Sequence, residues 1–398
     1  MILSVAFIVY TLAVVGYFIL HKMNTIDESL RATNLNPFNV LDEGFVVKSE
    51  LFYDLTGISI LVEPIFLVLV LCFIYSTGLN DKLLQLSLKL RWKITQFILY
   101  TFMIGMILHV ARMPFSLMNN IRWRDIPPGE VPVGTWFVSF IGDVFSTWGL
   151  AAFILGFLYF CMHYFQKRWW LAGWFISVPV IFLLFGNSGL PIVNGLEKLE
   201  KQEAVQAIES FVEKQGLKLE GVYLFEASEW TDTLDVSVHF MDGEVQVVVW
   251  DTTLKELTNE EIVYIVANEF YALENGRSAI QLVILVALSY VVFFVTSRVL
   301  QRIVPEDGYG RFETVPVSWA ALLLAMFIIM PVMNNFDRNE QLHVDQLALE
   351  AVEHPEVAVE ALKKMSLHQP VQLNESLLFD IFGTSRISLL ERLENITK

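Results

Sequence analysis
The sequence predicts a mostly α, polytopic membrane protein of about seven transmembrane helices with a small α+β module inserted among them. Three observations lead there. The 398 residues are 55% hydrophobic and only 18% charged, against about 45–50% and about 25% in soluble domains. Apolar runs that meet or approach the length needed to cross a hydrocarbon core of about 30 Å recur along the chain. Between the fifth and sixth runs lies a polar block, 190–277, whose pattern changes to helix, strands, helix.

The runs fall at 2–20, 58–77, 94–111, 136–162, 169–187, 278–297 and 315–333. The first lacks a basic start and a small-residue cleavage site after it, so it reads as an anchor rather than a cleaved signal. His21 and Lys22 at its end are placed to snorkel, and Trp136, Trp169, Trp170 and Trp319 near run ends fit an aromatic belt. Cys72 and Cys161 lie inside runs and read as small core hydrophobes; no disulfide framework is possible. The formal charge of −16 argues against nucleic acid and leaves membrane lipid as the expected surrounding. Ionisable groups inside runs are functional candidates. Glu63 would line a water-filled chamber, pair with Arg112, or sit as an interfacial carboxylate, whereas Arg122, Arg124 and Asp125 read as a solvated loop.

These divisions give a membrane region at 1–189, a water-facing module at 190–277, two further membrane helices at 278–333 and a polar helical part at 334–398. Within the module, 196–216 has helical spacing and ends in Gly216, a C-cap signal. GVYLFEAS (221–228), DVSVHF (235–240) and EVQVVVWDTTL (244–254) are rich in β-branched and aromatic residues and read as strands. MDG (241–243) between the last two signals a hairpin. A helix then spans 257–276, with Thr258 as N-cap and Glu261 three residues on, a capping box.

That helix contains Asn268-Glu269-Phe270-Tyr271-Ala272. Positions i and i+4 share a helix face. Zinc metalloproteases use this spacing as H-E-x-x-H: two neutral imidazoles hold the metal and the intervening Glu is the general base. Here the carboxylate remains and both imidazoles are missing. Taken alone the five residues carry no signal, since a Glu on an apolar helix is usually solvated or paired.

Several stretches together resemble the integral-membrane zinc metalloproteases of the type I CAAX prenyl protease kind and their bacterial relatives. RMPFSLMNNIRWRD (112–125) is similar to that family's loop after the third helix. GVYLFEAS…EVQVVVWDTTLKELTNEEIVYIVANEF matches its strand and active-helix region in order and spacing, and FGTSRISLLERLENI (382–396) is similar to its closing S-H-P-S-x-x-E-R-L element. The resemblance implies seven membrane helices carrying a gluzincin-like helix pair with a small sheet. It places the zinc histidines at Asn268 and Ala272, the general base at Glu269, and a further family histidine at Arg277. The third ligand, a Glu, falls on Gln341, with the flanking motif positions at Arg338 and Asp345. The closing His-Pro falls on Arg386-Ile387, and the substrate-edge Asn on Ser237 or Asp235. For Asp143, within the fourth run, the resemblance implies a structural pairing.

Asn and Gln offer neutral carbonyl oxygens and Ala offers none, so this ligand set is expected to hold zinc weakly or not at all, and no cofactor is expected; without zinc, the pKa of water returns from about 7 toward 15.7. An alternative metal site would use Glu340, His343 and Glu269. The expected function is a pseudoprotease that binds peptide or membrane-protein segments along a strand edge, or pairs with an active relative. The alternatives are an active zinc endopeptidase with divergent ligands, acting in membrane-protein quality control, and a scaffold with neither activity. The chain is expected to be multi-pass in the cell membrane. The two guides to sidedness oppose each other: Lys and Arg in the short loops would put the module outside the cytoplasm, and the resemblance implies inside.

Overall fold
The computed structural model describes the chain apart from residues 1, 22–27, 29, 34, 125–128, 186–195, 201–202, 242, 277–278, 304–310, 312–313, 353, 375, 384–386 and 398. The membrane part is built from α1 (Ile2–Leu20), α2 (Glu43–Ser76), α4 (Lys93–Ile121), α5 (Val133–Phe165), α6 (Trp169–Phe185), α10 (Ala279–Ile303) and α11 (Val315–Leu349), with the short α3 (Leu79–Ser87) between α2 and α4. Among the described residues, five helical stretches are long and apolar enough to cross a bilayer, one of them covering α5 and α6 together; α1 is a shorter apolar helix. With the small sheet described below, this is a mostly helical, multi-pass membrane protein.

Two helices outrun their apolar runs. α2 has 34 residues and α11 has 35, each about 50 Å at 1.5 Å per residue, against a hydrocarbon core of about 30 Å. The first turns of α2 and the last of α11 therefore stand in the water-facing module. The boundary expected at 333–334 falls inside α11, which runs on through Pro331 without ending.

The module's sheet has the order β1-β2-β4-β3, from β1 (Glu197–Lys198), β2 (Lys218–Phe225), β3 (Val236–Met241) and β4 (Glu244–Trp250). β2 and β4 run parallel, and β3 and β4 form the expected antiparallel hairpin, with Val236 opposite Val249 and Met241 opposite Glu244. Gly243 at the turn has φ +84°, a left-handed conformation that favours glycine. β3 is the open edge on one side of the sheet. α7 (Glu203–Lys214), α8 (Asp251–Glu256), α9 (Asn259–Gly276), α12 (Pro355–Leu367), α13 (Leu377–Phe382) and α14 (Leu389–Thr397) complete the fold. A single core joins α7, the strands, α9, the end of α11, α12 and α14 through Ile208, Val247, Val266, Phe270, Leu362 and Leu393, all nearly inaccessible.

Local expectations differ at two module segments. Residues 197–198 pair with β2 as a strand, so the helix predicted from 196 begins only at Glu203. Asp251-Thr252-Thr253-Leu254, read as the end of a strand, opens α8 instead. The Asp251 carboxylate accepts from the backbone N–H of Ala227 (2.8 Å) and Ser228 (3.0 Å), which draws the chain out of the sheet plane. In the membrane region, Trp136 and Trp169 are buried between helices rather than facing lipid, and Asp143 is exposed on α5 without an ion-pair partner among the described residues. Cys161 is buried as expected; Cys72 is exposed on the outside of the bundle.

Candidate functional site
The start of α9 is fixed by its own sequence. Thr258 N–H donates to the Glu261 carboxylate at 2.7 Å and Glu261 N–H donates to the Thr258 hydroxyl at 3.3 Å, the reciprocal capping box. Lys364 from α12 holds the same Glu261 carboxylate at 2.8 Å. With the start pinned, Ile262 to Asn268 are all buried, and the helix presents residues 268 and 269 toward α11 and α14.

There a polar cluster closes around one carboxylate. Asp345 of α11 is fully inaccessible. Its Oδ1 accepts from Asn268 Nδ2 at 2.7 Å and from Gln341 Nε2 at 3.3 Å. Arg392 of α14 closes the other side as a fork, Nε to Oδ2 at 2.8 Å and Nη2 to Oδ1 at 2.6 Å, a bidentate geometry that suits guanidinium and carboxylate. Gln341 Nε2 also donates to Asn268 Oδ1 at 3.3 Å. Burial opposes the Arg392 charge, yet the Asp345 carboxylate holds its pKa above the ordinary arginine value. Burial, and next the same carboxylate, push the Tyr264 hydroxyl well above the usual tyrosine range.

Glu269 is half-buried and lines a cavity of about 270 Å³ together with Gln341 and Arg392. The facing walls come from Thr233 to Asp235, just before the edge strand β3, and from Pro370 to Gln372 after α12. Tyr53 of α2 also reaches this cavity, its hydroxyl donating to the Pro370 carbonyl at 3.0 Å.

The structure thus brings Asn268, Glu269, Gln341 and Asp345 together. Ala272 sits one turn along α9, packed against the hydrophobic core. Arg338 does not join the cluster: it pairs with Asp380 of α13 and with Glu391 of α14 at 2.8 Å, tying α11 to the C-terminal helices. Arg277 and Arg386 lie outside the described residues. Arg392 is the site residue the sequence reading missed, although it stands in the Glu391-Arg392-Leu393 of the closing element. Among the described residues, no three of His, Cys, Asp and Glu gather as a metal-ligand set, and His343 is exposed on α11.

Residues 198–398 match a family model described as Peptidase family M48. The chain belongs to this family. A curated relative, the uncharacterized metalloprotease YhfN of Bacillus subtilis (strain 168), is 22% identical over 409 residues, covering 99% of this chain and 95% of YhfN. The crystal structure of Ste24p from S. mikatae shares the fold at a TM-score of 0.75 and 12% identity, over 100% of this chain and 98% of that one.

A family metal centre on this pair would need three donors and an open position. A ligating imidazole typically passes its second N–H to a carboxylate; here it is the Asn268 amide that donates to Asp345. The donors themselves do not fit zinc. The Asn268 and Gln341 amides are engaged with Asp345 and with each other, Ala272 has no side-chain donor atom, and the Asp345 carboxylate beside them is already neutralised by Arg392.

Proposed function
We propose that this protein is a catalytically degenerate M48-family membrane protein that holds peptide or membrane-protein segments without cleaving them. The observation that supports this reading is the cluster at Asn268, whose amide bonds to Asp345 and Gln341 where the family resemblance expects the first zinc ligand. Without a metal, water near Glu269 keeps a pKa far above neutrality and supplies no hydroxide. Capture does not depend on a metal. β3 is an edge strand, and the residues leading into it wall the cavity beside Glu269. An extended segment added to such an edge gains main-chain hydrogen bonds in register.

The test is metal content joined to cleavage and binding. Purified protein is stripped with chelator, reloaded with zinc, and assayed by elemental analysis and with labelled casein. The expected result is far less than one zinc per chain, no cleavage, and saturable casein binding. The triple variant Asn268→His, Ala272→His, Gln341→Glu is expected to take up zinc that the parent does not. One tightly held zinc per parent chain together with casein hydrolysis would overturn the proposal and establish an active endopeptidase with divergent ligands.

A further inference from the structure
Inside the membrane part, α2, α4, α5 and α11 enclose a second cavity of about 500 Å³. Its wall changes character along α4. Gly105 and Leu108 stand at one end, His109 and Arg112 midway, and Asn119 and Arg122 at the other. From Gly105 to Arg122 is about 25 Å of helix at 1.5 Å per residue. α2 follows the same gradient, from Leu67 through Glu63 to Thr56. The far walls are the indoles of Trp148 and Trp319 with Leu323.

The charges do not cancel. Glu63 and Arg112 neutralise each other at 2.6 Å. Arg122 has only neutral partners among the described residues: it donates to the Thr56 hydroxyl at 3.0 Å and lies over the Phe52 ring at 4.7 Å, and its Nε is buried without a hydrogen bond. The His109 ring, only 7% exposed, uses Nε2 on the Phe140 carbonyl at 2.7 Å and leaves Nδ1 buried and unpartnered. The Asn119 Oδ1 and Trp148 Nε1 that line the same space are also unpartnered. Buried polar groups and charges left this way are costly unless something pairs with them.

From this geometry we infer that the cavity is a binding site for a single-chain amphiphile with an anionic head, a fatty-acid type molecule whose chain lies along Leu67, Leu108 and Trp319 and whose head meets Arg122. The volume is that of a site for one small ligand, which selects one acyl chain over two. The head supplies the charge that Arg122 lacks, and the donor and acceptor atoms along the wall accommodate its oxygens directly or through water. This site is separate from the cavity beside Glu269 and does not rest on the pseudoprotease reading.

The test is equilibrium binding of radiolabelled oleate and oleyl alcohol to the full-length protein in phosphatidylcholine nanodiscs, with empty discs subtracted. Oleate is expected to bind saturably, one per chain, at least about tenfold more tightly than the alcohol, the margin of one charge-assisted hydrogen bond. Arg122→Gln should abolish that preference, and Arg122→Lys should retain most of it. Ile60→Trp, which fills the cavity from a half-buried position on α2, should weaken both ligands. Oleoyl lysophosphatidate, with the same chain and a phosphate head, separates the two sources of negative charge: tighter binding than oleate assigns a phosphate, weaker binding a carboxylate. Equal affinity of the parent protein for oleate and oleyl alcohol would overturn the inference, and so would unchanged oleate binding in a folded Ile60→Trp variant.

Discussion

Replacing Arg392 with Met is the sharpest test of how the site is held together. The substitution roughly keeps the apolar length of the side chain and removes the two guanidinium bonds to Asp345, at 2.8 and 2.6 Å. What remains on that carboxylate are two amide donors, Asn268 at 2.7 Å and Gln341 at 3.3 Å. The Asp345 side chain is 0% exposed and that of Arg392 22%, so bulk water does not replace the lost partner. Stranding a buried charge in this way costs about 3–5 kcal/mol, and the surviving amide bonds place the expected loss at the low end, about 3 kcal/mol. For a folding unit of about 150–250 residues each kcal/mol lowers Tm by about 2–4 °C, which gives a fall of about 6–12 °C. The assay is thermal unfolding in detergent followed by tryptophan fluorescence, with Asp345→Asn and the double variant completing the cycle. Because the double variant has no stranded charge, it should recover about 2 kcal/mol relative to the sum of the singles. A fall below about 2 °C for Arg392→Met, or strict additivity of the two changes, would refute the claim that this pair forms the site's structural centre.

Two further outcomes follow from the module. Thr258→Ala removes half of the capping box and should cost about 1 kcal/mol, with Thr258→Ser restoring most of it; an unchanged melting temperature would show that Lys364 alone fixes the helix start. The Asp251 carboxyl, bonded first to Lys255 and then to Ser228 and the backbone N–H groups of residues 227 and 228, is held well below the usual carboxylate range. A depressed folded-state pKa contributes stability that is present above the unfolded value of about 3.9 and is lost as pH falls below it. Between about pH 4 and pH 2, Asp251→Asn should therefore lose less stability than the parent does, as read by melting temperature against pH, and parallel curves would contradict the assignment.

What the sequence made legible was local. The capping box at Thr258 and Glu261, the hairpin between β3 and β4, and the left-handed Gly216, at φ +75°, rest on residues a few positions apart, and each formed as read. The family resemblance singled out Asn268, Glu269, Gln341 and Asp345, and α9 and α11 bring these four side by side. Arg392 was not legible, since its partner lies 47 residues away in sequence and no periodicity connects them. Arg122 was misread as solvated because an Arg beside a helix end usually is; here the extra length of α2 brings Thr56 and Phe52 over it. Residues 251–254 were misread because strand propensity in DTTL gives way to the bonds that Asp251 makes with the loop at 227–228.

The unbroken α11 joins two compartments that the chain otherwise keeps apart. Trp319 and Leu323 on its first half face the oily cavity, and Gln341 and Asp345 on its second half grip Asn268, with Pro331 between them. A continuous helix of this kind links the two compartments mechanically, with proline as the place where it bends most readily. A tilt that a thinner or thicker bilayer imposes on its membrane half would be divided at Pro331 between bending of the helix and displacement of the half that carries Gln341 and Asp345.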